Sequence, residues 1–362
     1  NGSDGCEADL TADDSCGSCG HDCAALGATC MAGKCSDIPM QTGLPFGSDN
    51  SGNFSWAFGP QGLMHIGPYG YSVLRFPLDG SATQTVWTTT AKGAGYQPIV
   101  VVGDRVYWGE RGTGEDDFTA AVFSKLVTAA AGVQPDLAFV PEWPVSFLRR
   151  QGNAFYWFSG AYQSGDAGAW IYTRGINDTD LDNHGAKIMS VDQGTHGGVK
   201  AFNVTTDAFY WISLVANAGT AYELRTAPIG GGAPVVVPTV PGGTTPAVSG
   251  YYGVPTLFPV GDTIYFNRQT GEAIDGIYSF KQGDAAPTRL VTSPNVQSFL
   301  VDASYIYYQQ QNVAGVMRAP VAGGAGVPFS AGNVTRLLAQ DDQFVYALVS
   351  SCCNSTLHKI IK

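Results

Sequence analysis

Few side chains in the turn-rich segments of this sequence could act as an acid, as a base or as a cation that neutralises a charged substrate. His196 and Tyr252 are candidate proton donors or acceptors, and Arg111 and Arg268 are candidate partners for a substrate carboxylate. A base, an acid and a neutralising cation are the groups that a polysaccharide lyase uses on uronate sugars. The spacing of these four residues fixes no geometry between them, so catalysis competes with binding alone.

A second set of residues favours recognition without reaction. Aromatic rings stack on sugar faces or peptide side chains, and Arg and Gln donate directional hydrogen bonds. We therefore predict a binding surface for an extracellular carbohydrate or protein partner, with a polysaccharide lyase or glycoside hydrolase as the alternative. The predicted ligand-binding residues are Trp143, Tyr162, Tyr251, Tyr252, Arg268 and Gln309.

Motifs of several other reaction classes do not occur in the sequence. The five histidines show no H-x-x-x-H spacing, and neither G-x-S-x-G nor an EF-hand loop is found. The acidic run from Glu115 to Asp117 is more typical of a solvated loop than of a cation site. We expect no metal and no cofactor. His65 lies in a short apolar run and is predicted to be a packed core histidine.

A recurring phrase predicts the elements that position these residues. Short apolar runs with a late tyrosine follow a turn at six places, at tyrosines 107, 156, 210, 265, 307 and 346. A second phrase, such as SVLRFPLDG (72–80), occurs seven times. Units of roughly 45 residues with several short strands indicate propeller blades, each with strands A to D. The tyrosines and their aromatic neighbours are predicted to fill the gaps between blades.

Composition supports an all-β chain with a large core. The 362 residues are 44% hydrophobic and 14% charged, and include 47 Gly and 20 Pro. The seventh unit stops after its third strand, so residues 37–46 are predicted to supply the fourth strand and close the ring. We predict a seven-bladed β-propeller over residues 37–362 and a small disulfide-rich segment over residues 1–36.

The cysteines indicate an oxidising compartment. Two of the eight, Cys352 and Cys353, are adjacent, which predicts either a strained vicinal disulfide or two bonds to the N-terminal segment. The other six occupy a polar, Gly-rich stretch where disulfides are favoured over zinc. These are Cys6, Cys16, Cys19, Cys23, Cys30 and Cys35. Their connectivity stays open.

Net charge and hydropathy limit the classes of partner that we expect the protein to bind. A formal net charge of −11 disfavours nucleic acid and anionic lipid surfaces. The sequence contains no run of 18 apolar residues, so we predict no membrane-spanning helix. The sequence begins at Asn1, as expected after removal of an export signal. We expect a secreted or cell-surface protein.

Two stretches resemble known groups. D-x-x-V-Y-W followed by I-x-R-x-P-L-x-G-G, over residues 54–362, resembles the YWTD and NHL-like propellers. That resemblance implies ligand contact at the B–C and D–A loops, in a group that includes receptors, scaffolds, lyases and hydrolases. CGSCGHDC followed by C-x4-C resembles Cys-rich N-terminal segments of secreted or surface proteins from myxobacteria, which implies an address outside the cytoplasm.

Overall fold

The structure is a computed structural model that describes most of the chain. The described residues are 23–24, 29–31, 34–36, 38–44, 56–67, 72–88, 98–111, 120–142, 145–159, 169–181, 183–191, 196–215, 222–238, 256–269, 273–330, 332–350 and 355–362. Within these ranges the regular structure consists of thirty β-strands. None of the described segments forms a helix with the length and hydrophobicity of a membrane span.

The chain divides into two compact units, and the second contains the first five sheets. It comprises residues 51–77 and 83–296. Each sheet is antiparallel, has four strands and keeps the strands in chain order. The sheets are β4 (Trp56–Gly59), β5 (Gly62–Ile66), β6 (Ser72–Phe76) and β7 (Gln84–Thr88); β8 (Ile99–Val102), β9 (Arg105–Arg111), β10 (Ala120–Leu126) and β11 (Asp136–Phe139); β12 (Val145–Gln151), β13 (Ala154–Ser159), β14 (Ala169–Gly175) and β15 (Ala186–Val191); β16 (His196–Val204), β17 (Ala208–Val215), β18 (Tyr222–Pro228) and β19 (Val235–Val236); and β20 (Leu257–Val260), β21 (Thr263–Arg268), β22 (Gly276–Lys281) and β23 (Thr288–Thr292).

The last two sheets fall in the other unit, which comprises residues 1–50, 78–82 and 297–362. The sixth sheet again follows chain order, and the seventh takes its fourth strand from the N-terminal part of the chain. A two-stranded hairpin precedes that strand. The strands are β1 (Thr29–Met31), β2 (Lys34–Ser36) and β3 (Ile38–Leu44); β24 (Val296–Val301), β25 (Tyr305–Gln310), β26 (Val316–Pro320) and β27 (Val327–Ser330); and β28 (Val334–Gln340), β29 (Phe344–Ser350) and β30 (Ser355–Ile361).

The pairing of β3 with β30 confirms the predicted closure. The two strands run antiparallel, with Ile38 opposite Lys359 and Leu44 opposite Ser355. The order of the seventh sheet is therefore β28-β29-β30-β3. Because β3 covers the edge of β30, the last sheet has four strands, like each of the other six. Seven such sheets confirm the seven-bladed β-propeller as the fold class.

The core of the second unit lies between consecutive sheets. Its buried clusters each draw side chains from two neighbours, as where Met64 and Val86 of the first sheet pack with Trp108 of the second. Similar clusters join the second to the third, the third to the fourth and the fourth to the fifth sheet. Five of the six repeated tyrosines are at most 9% exposed, and Tyr156 is half-buried against the cluster between the third and fourth sheets. The phrase is architectural, as predicted.

The A–B turns that precede these tyrosines are built in three ways. Gly103, Gly152 and Gly261 have φ values of 59°, 58° and 59°, a conformation that favours glycine. The sixth and seventh sheets use aspartate instead. Asp302 Oδ1 accepts hydrogen bonds from the amides of Ser304 and Tyr305, and Asp341 repeats the arrangement. In the fourth sheet the hydroxyl of Thr205 accepts hydrogen bonds from the amides of Asp207 and Ala208. Different residues therefore build the connection between strands A and B.

The structure describes only some of the cysteines for which disulfide bonds were predicted. Cys23 and Cys30 are disulfide-bonded. The backbone of Cys35 lies opposite that of Cys30 in the β1–β2 hairpin. Cys6, Cys16, Cys19, Cys352 and Cys353 lie outside the described residues. The structure thus does not show the disulfide-rich segment as a whole, and that segment and its boundary at residue 36 stay predictions.

Deleting residues 1–46 is expected to destabilise the protein because it removes β3 and exposes the edge of β30. We expect the melting temperature to fall by on the order of 10 °C and the shortened chain to aggregate. Differential scanning calorimetry would measure this. Deleting only residues 1–36 is the matched control, since it leaves β3 in place and should cost less. Equal melting temperatures for the two deletions would contradict the closing role of β3.

Candidate functional site

The loop end of the blades, formed by the B–C and D–A loops, was predicted to hold the site. Arg268 and Gln309 are the two predicted site residues whose side chains the structure describes. Arg111 ends β9 and His196 begins β16, with only their backbones described. The remaining predicted residues lie outside the described ranges; they are Trp143, Tyr162, Tyr251 and Tyr252.

Arg268 forms a buried ion pair at the base of the B–C loop of the fifth sheet. Its NH1 atom lies 2.8 Å from Oδ1 of Asp275, and the two side chains are 0% and 1% exposed. Arg268 ends β21 and Gly276 begins β22 directly opposite, so the pair joins the two ends of the loop. Arg268 was expected to be an exposed anchor, but its charge is neutralised beneath the loop. Its contact with a ligand stays a prediction.

The residues on either side of Arg268 tie the same loop to a neighbouring segment. The side chains of Asn267 and Gln269 both donate hydrogen bonds to the backbone carbonyl of Val296. The side-chain oxygen of Asn267 accepts the amide of Thr256 at 3.0 Å. Asn267 and Gln269 are 4% and 6% exposed. Three consecutive polar side chains at the end of β21 are thus buried and hydrogen-bonded.

At the described C-terminal end of this loop, backbone carbonyl groups accept hydrogen bonds from two side chains. The hydroxyl of Tyr278 donates to the carbonyl of Ile274, and Arg289 donates to that of Ala273 at 3.0 Å. Burial raises the pKa of Tyr278, although Arg289 and Arg268 act in the opposite direction. The phenol therefore stays protonated near neutral pH and serves as a donor.

Gly276 fits β22 at a point where no larger residue does. Its φ is 155°, and a Cβ atom there would lie 1.9 Å from the carbonyl oxygen of Val291. The end of the loop therefore packs directly on strand β23. Together with the ion pair, this contact gives the loop a defined exit from the sheet.

Glu110 occupies the loop end of the second sheet and accepts two indole hydrogen bonds. Its Oε1 atom lies 2.8 Å from Nε1 of Trp108 and 3.2 Å from Nε1 of Trp87. Trp87 belongs to the first sheet, so this carboxylate links two blades. Burial of the indoles leaves the glutamate as the acceptor they require.

Gln309 provides a different kind of group at the loop end of the sixth sheet. Its side chain is 4% exposed, and its Nε2 atom donates to the carbonyl of Gln310 at 2.6 Å. Its buried Oε1 atom accepts no hydrogen bond from the described part of the chain. A buried carbonyl oxygen without a donor costs about 1–3 kcal/mol, so an incoming N–H or O–H donor would be favoured there.

The described histidines support structure. His65 has no exposed surface and stacks on Trp56, with ring centroids 4.3 Å apart, as predicted. Over the described ranges, no group of three or more His, Cys, Asp or Glu is arranged to hold a metal ion. Sequence reasoning missed Asn267, Gln269 and Asp275. The signal for them was the polar run N-R-Q (267–269) at the end of an apolar strand.

Comparison with known proteins identifies the fold. No family model matches the sequence, and no curated protein matches it. The structure is similar to puromycin hydrolase, with a TM-score of 0.58 and 11% identity over 83% of this chain and 50% of that one. It is also similar to the computationally designed Ika8 protein, with a TM-score of 0.51 and 11% identity over 84% and 82% of the two chains.

A third similar structure is the WD40 β-propeller domain of Doa1, with a TM-score of 0.50 and 12% identity over 88% of this chain and 96% of that one. The chain spans about half the length of puromycin hydrolase. At these identities the similarity establishes the fold alone. The resemblances to YWTD and NHL-like propellers and to the Cys-rich segments stay predictions. The chain is a β-propeller whose family is not established by these similarities.

Proposed function

We propose that this chain is a secreted or cell-surface binding scaffold that recognises a carbohydrate or protein partner through the loop end of its blades. The observation that carries the proposal is the buried Arg268–Asp275 pair and the donors beside it, which hold the two described ends of one B–C loop in place before any partner arrives. A loop whose ends are already held in place loses less entropy on binding. The free energy of binding is therefore more favourable than it would be for a loop that became ordered only on binding.

Gln309 supports the same proposal independently in the other unit. Its side-chain oxygen has no donor within the described residues, so a partner that displaces the groups covering it and supplies an N–H or O–H group would form a hydrogen bond there. Peptide amides and sugar hydroxyls both provide such donors. The residue therefore suits recognition of either class of partner and requires no reaction.

A catalytic function receives less support from the described residues. Arg268 is already neutralised by Asp275, and a lyase needs its cation to face the substrate carboxylate. Glu110 is engaged by two indoles. The lyase or hydrolase alternative therefore depends on His196, Tyr252 and Arg111.

Binding of a selected ligand tests the proposal directly. The full chain would be screened on a glycan array and against a displayed random-peptide library, and affinities would be measured for the best ligand. We expect Trp143→Ala and Tyr252→Ala each to weaken binding at least about tenfold, because stacked aromatics commonly contribute about 2 kcal/mol or more. Leu181→Ala is the control: Leu181 is 44% exposed in the C–D turn of the third sheet.

Two outcomes would contradict the binding proposal. Unchanged affinity in both aromatic variants would exclude the predicted loop surface. Absorbance from unsaturated sugar ends, produced from uronate polysaccharides and lost in His196→Ala, would establish the lyase alternative.

The Arg268–Asp275 pair is expected to stabilise the fold as well as the loop. Arg268→Met should lower the free energy of unfolding by roughly 3–5 kcal/mol, because it leaves a buried carboxylate without its cation. The double variant Arg268→Met, Asp275→Leu should recover most of that loss. Urea denaturation would measure both. Lys281→Met removes one member of an exposed pair with Asp262 and is the control, for which little change is expected.

We also propose that all eight cysteines are oxidised, in keeping with an oxidising compartment. Cys23 and Cys30 already support this as disulfide-bonded residues. Mass spectrometry after alkylation without reductant should find no label, and alkylation after reduction should add eight. Label on any cysteine of the unreduced protein, or bound zinc, would contradict the proposal.

A further inference from the structure

A cleft lies between the first and second sheets, at the end opposite their B–C loops. It is formed by strands β6 and β7 of the first sheet and by the C–D turn of the second sheet, and its volume is about 450 Å³. Small-molecule sites occupy roughly 300–1,000 Å³. The cleft is lined by Arg75, Gln84, Thr85, Val86, Val127, Thr128, Ala129, Ala130 and Ala131.

Arg75 lines this cleft and is held by neutral groups. Its Nε atom donates to the carbonyl of Gln61 at 2.7 Å, and its NH1 atom donates to the side-chain oxygen of Gln84 at 3.1 Å. Its NH2 atom reaches the side chain of Gln61 at 3.5 Å. No carboxylate among the described residues forms an ion pair with it. The guanidinium is therefore fixed in place while its charge is not neutralised.

A second cation lies beneath the cleft. Lys125 is 2% exposed, and its Nζ atom donates to the carbonyls of Val86, Ala130 and Ala131 at 2.7, 2.9 and 3.2 Å. Burial lowers the pKa of this amine because its charged form is poorly solvated there. All three carbonyls belong to residues that line the cleft. An anion in the cleft would therefore lie near two positive charges.

The other lining groups restrict the kind of anion. Gln84, Thr85 and Thr128 offer amide and hydroxyl groups, which suit a ligand rich in hydroxyls. Val86, Val127 and the alanines provide apolar surface for the carbon–hydrogen face of a ring. The protein's net charge of −11 opposes a polyanion more strongly than a single carboxylate.

We infer that this cleft binds an acidic sugar, with Arg75 holding the carboxylate. The planar guanidinium fork matches the two oxygens of a carboxylate, and the polar groups around it match sugar hydroxyls. Since the cleft lies at the opposite end of the strands, the inference does not rest on the function proposed for the loops. It assigns a second ligand site to the chain.

Titration of the full chain with sodium glucuronate, followed by nuclear magnetic resonance, tests the inference. We expect saturable binding that weakens at least about tenfold in Arg75→Gln. Glucose, which lacks the carboxylate, should bind at least about tenfold more weakly to the wild type. Arg150→Gln is the matched control, because Arg150 is exposed and donates to a backbone carbonyl of the third sheet, away from the lining residues.

A second variant keeps the test decisive if Arg75→Gln perturbs the turn that Gln61 forms. Ala130→Trp fills the cleft but retains Arg75 and the backbone carbonyl of residue 130, and should also abolish glucuronate binding. Circular dichroism would verify that each variant is folded. Unchanged glucuronate affinity in a folded Ala130→Trp variant would overturn the inference. So would binding of inorganic phosphate without binding of glucuronate, since that selects an anion but no sugar.

Discussion

Side-chain donors that reach backbone carbonyls of a neighbouring sheet determine how the blades of the second unit fit together. Arg149 donates to Phe202, Asn203 donates to Leu257 and Lys125 donates to Val86. Each bond joins consecutive sheets, where apolar packing alone would permit sliding. Hydrogen bonds are directional, so these contacts fix the relative register that the aromatic clusters do not.

This arrangement explains how Arg149 and Lys125 lie between blades without an ion pair to any carboxylate in the described part of the chain. Burial lowers the pKa of Arg149 to about 10, and two carbonyls receive its donors at 3.1 and 2.9 Å. Carbonyl dipoles are weaker partners than carboxylates, but they are present on every strand. A polar residue at a blade boundary can thus be satisfied wherever it points at a backbone. As a consequence, positively charged groups lie between blades of a protein whose net charge is negative.

The sequence predicts the fold far better than the site, and the reason is physical. Periodic phrases determine strands, turns and packed tyrosines because those features depend on residue type at fixed spacing. Pairing of residues 37–46 with the last strand followed from counting strands. The partner of Arg268 could not be counted in this way, since Asp275 meets it only after the loop folds. Carbonyl acceptors are less predictable still, because every residue has one.

The two ends of the blades consequently differ in what they can bind. At the loop end of the fifth sheet, Asp275 cancels the charge of Arg268. At the other end, between the first two sheets, Arg75 and Lys125 are held by neutral acceptors. The charge of Arg75 remains available to a ligand because neutral groups orient a cation without neutralising it. Selectivity for an anion is therefore expected at the turn end, where Arg75 is held by neutral groups of its own sheet.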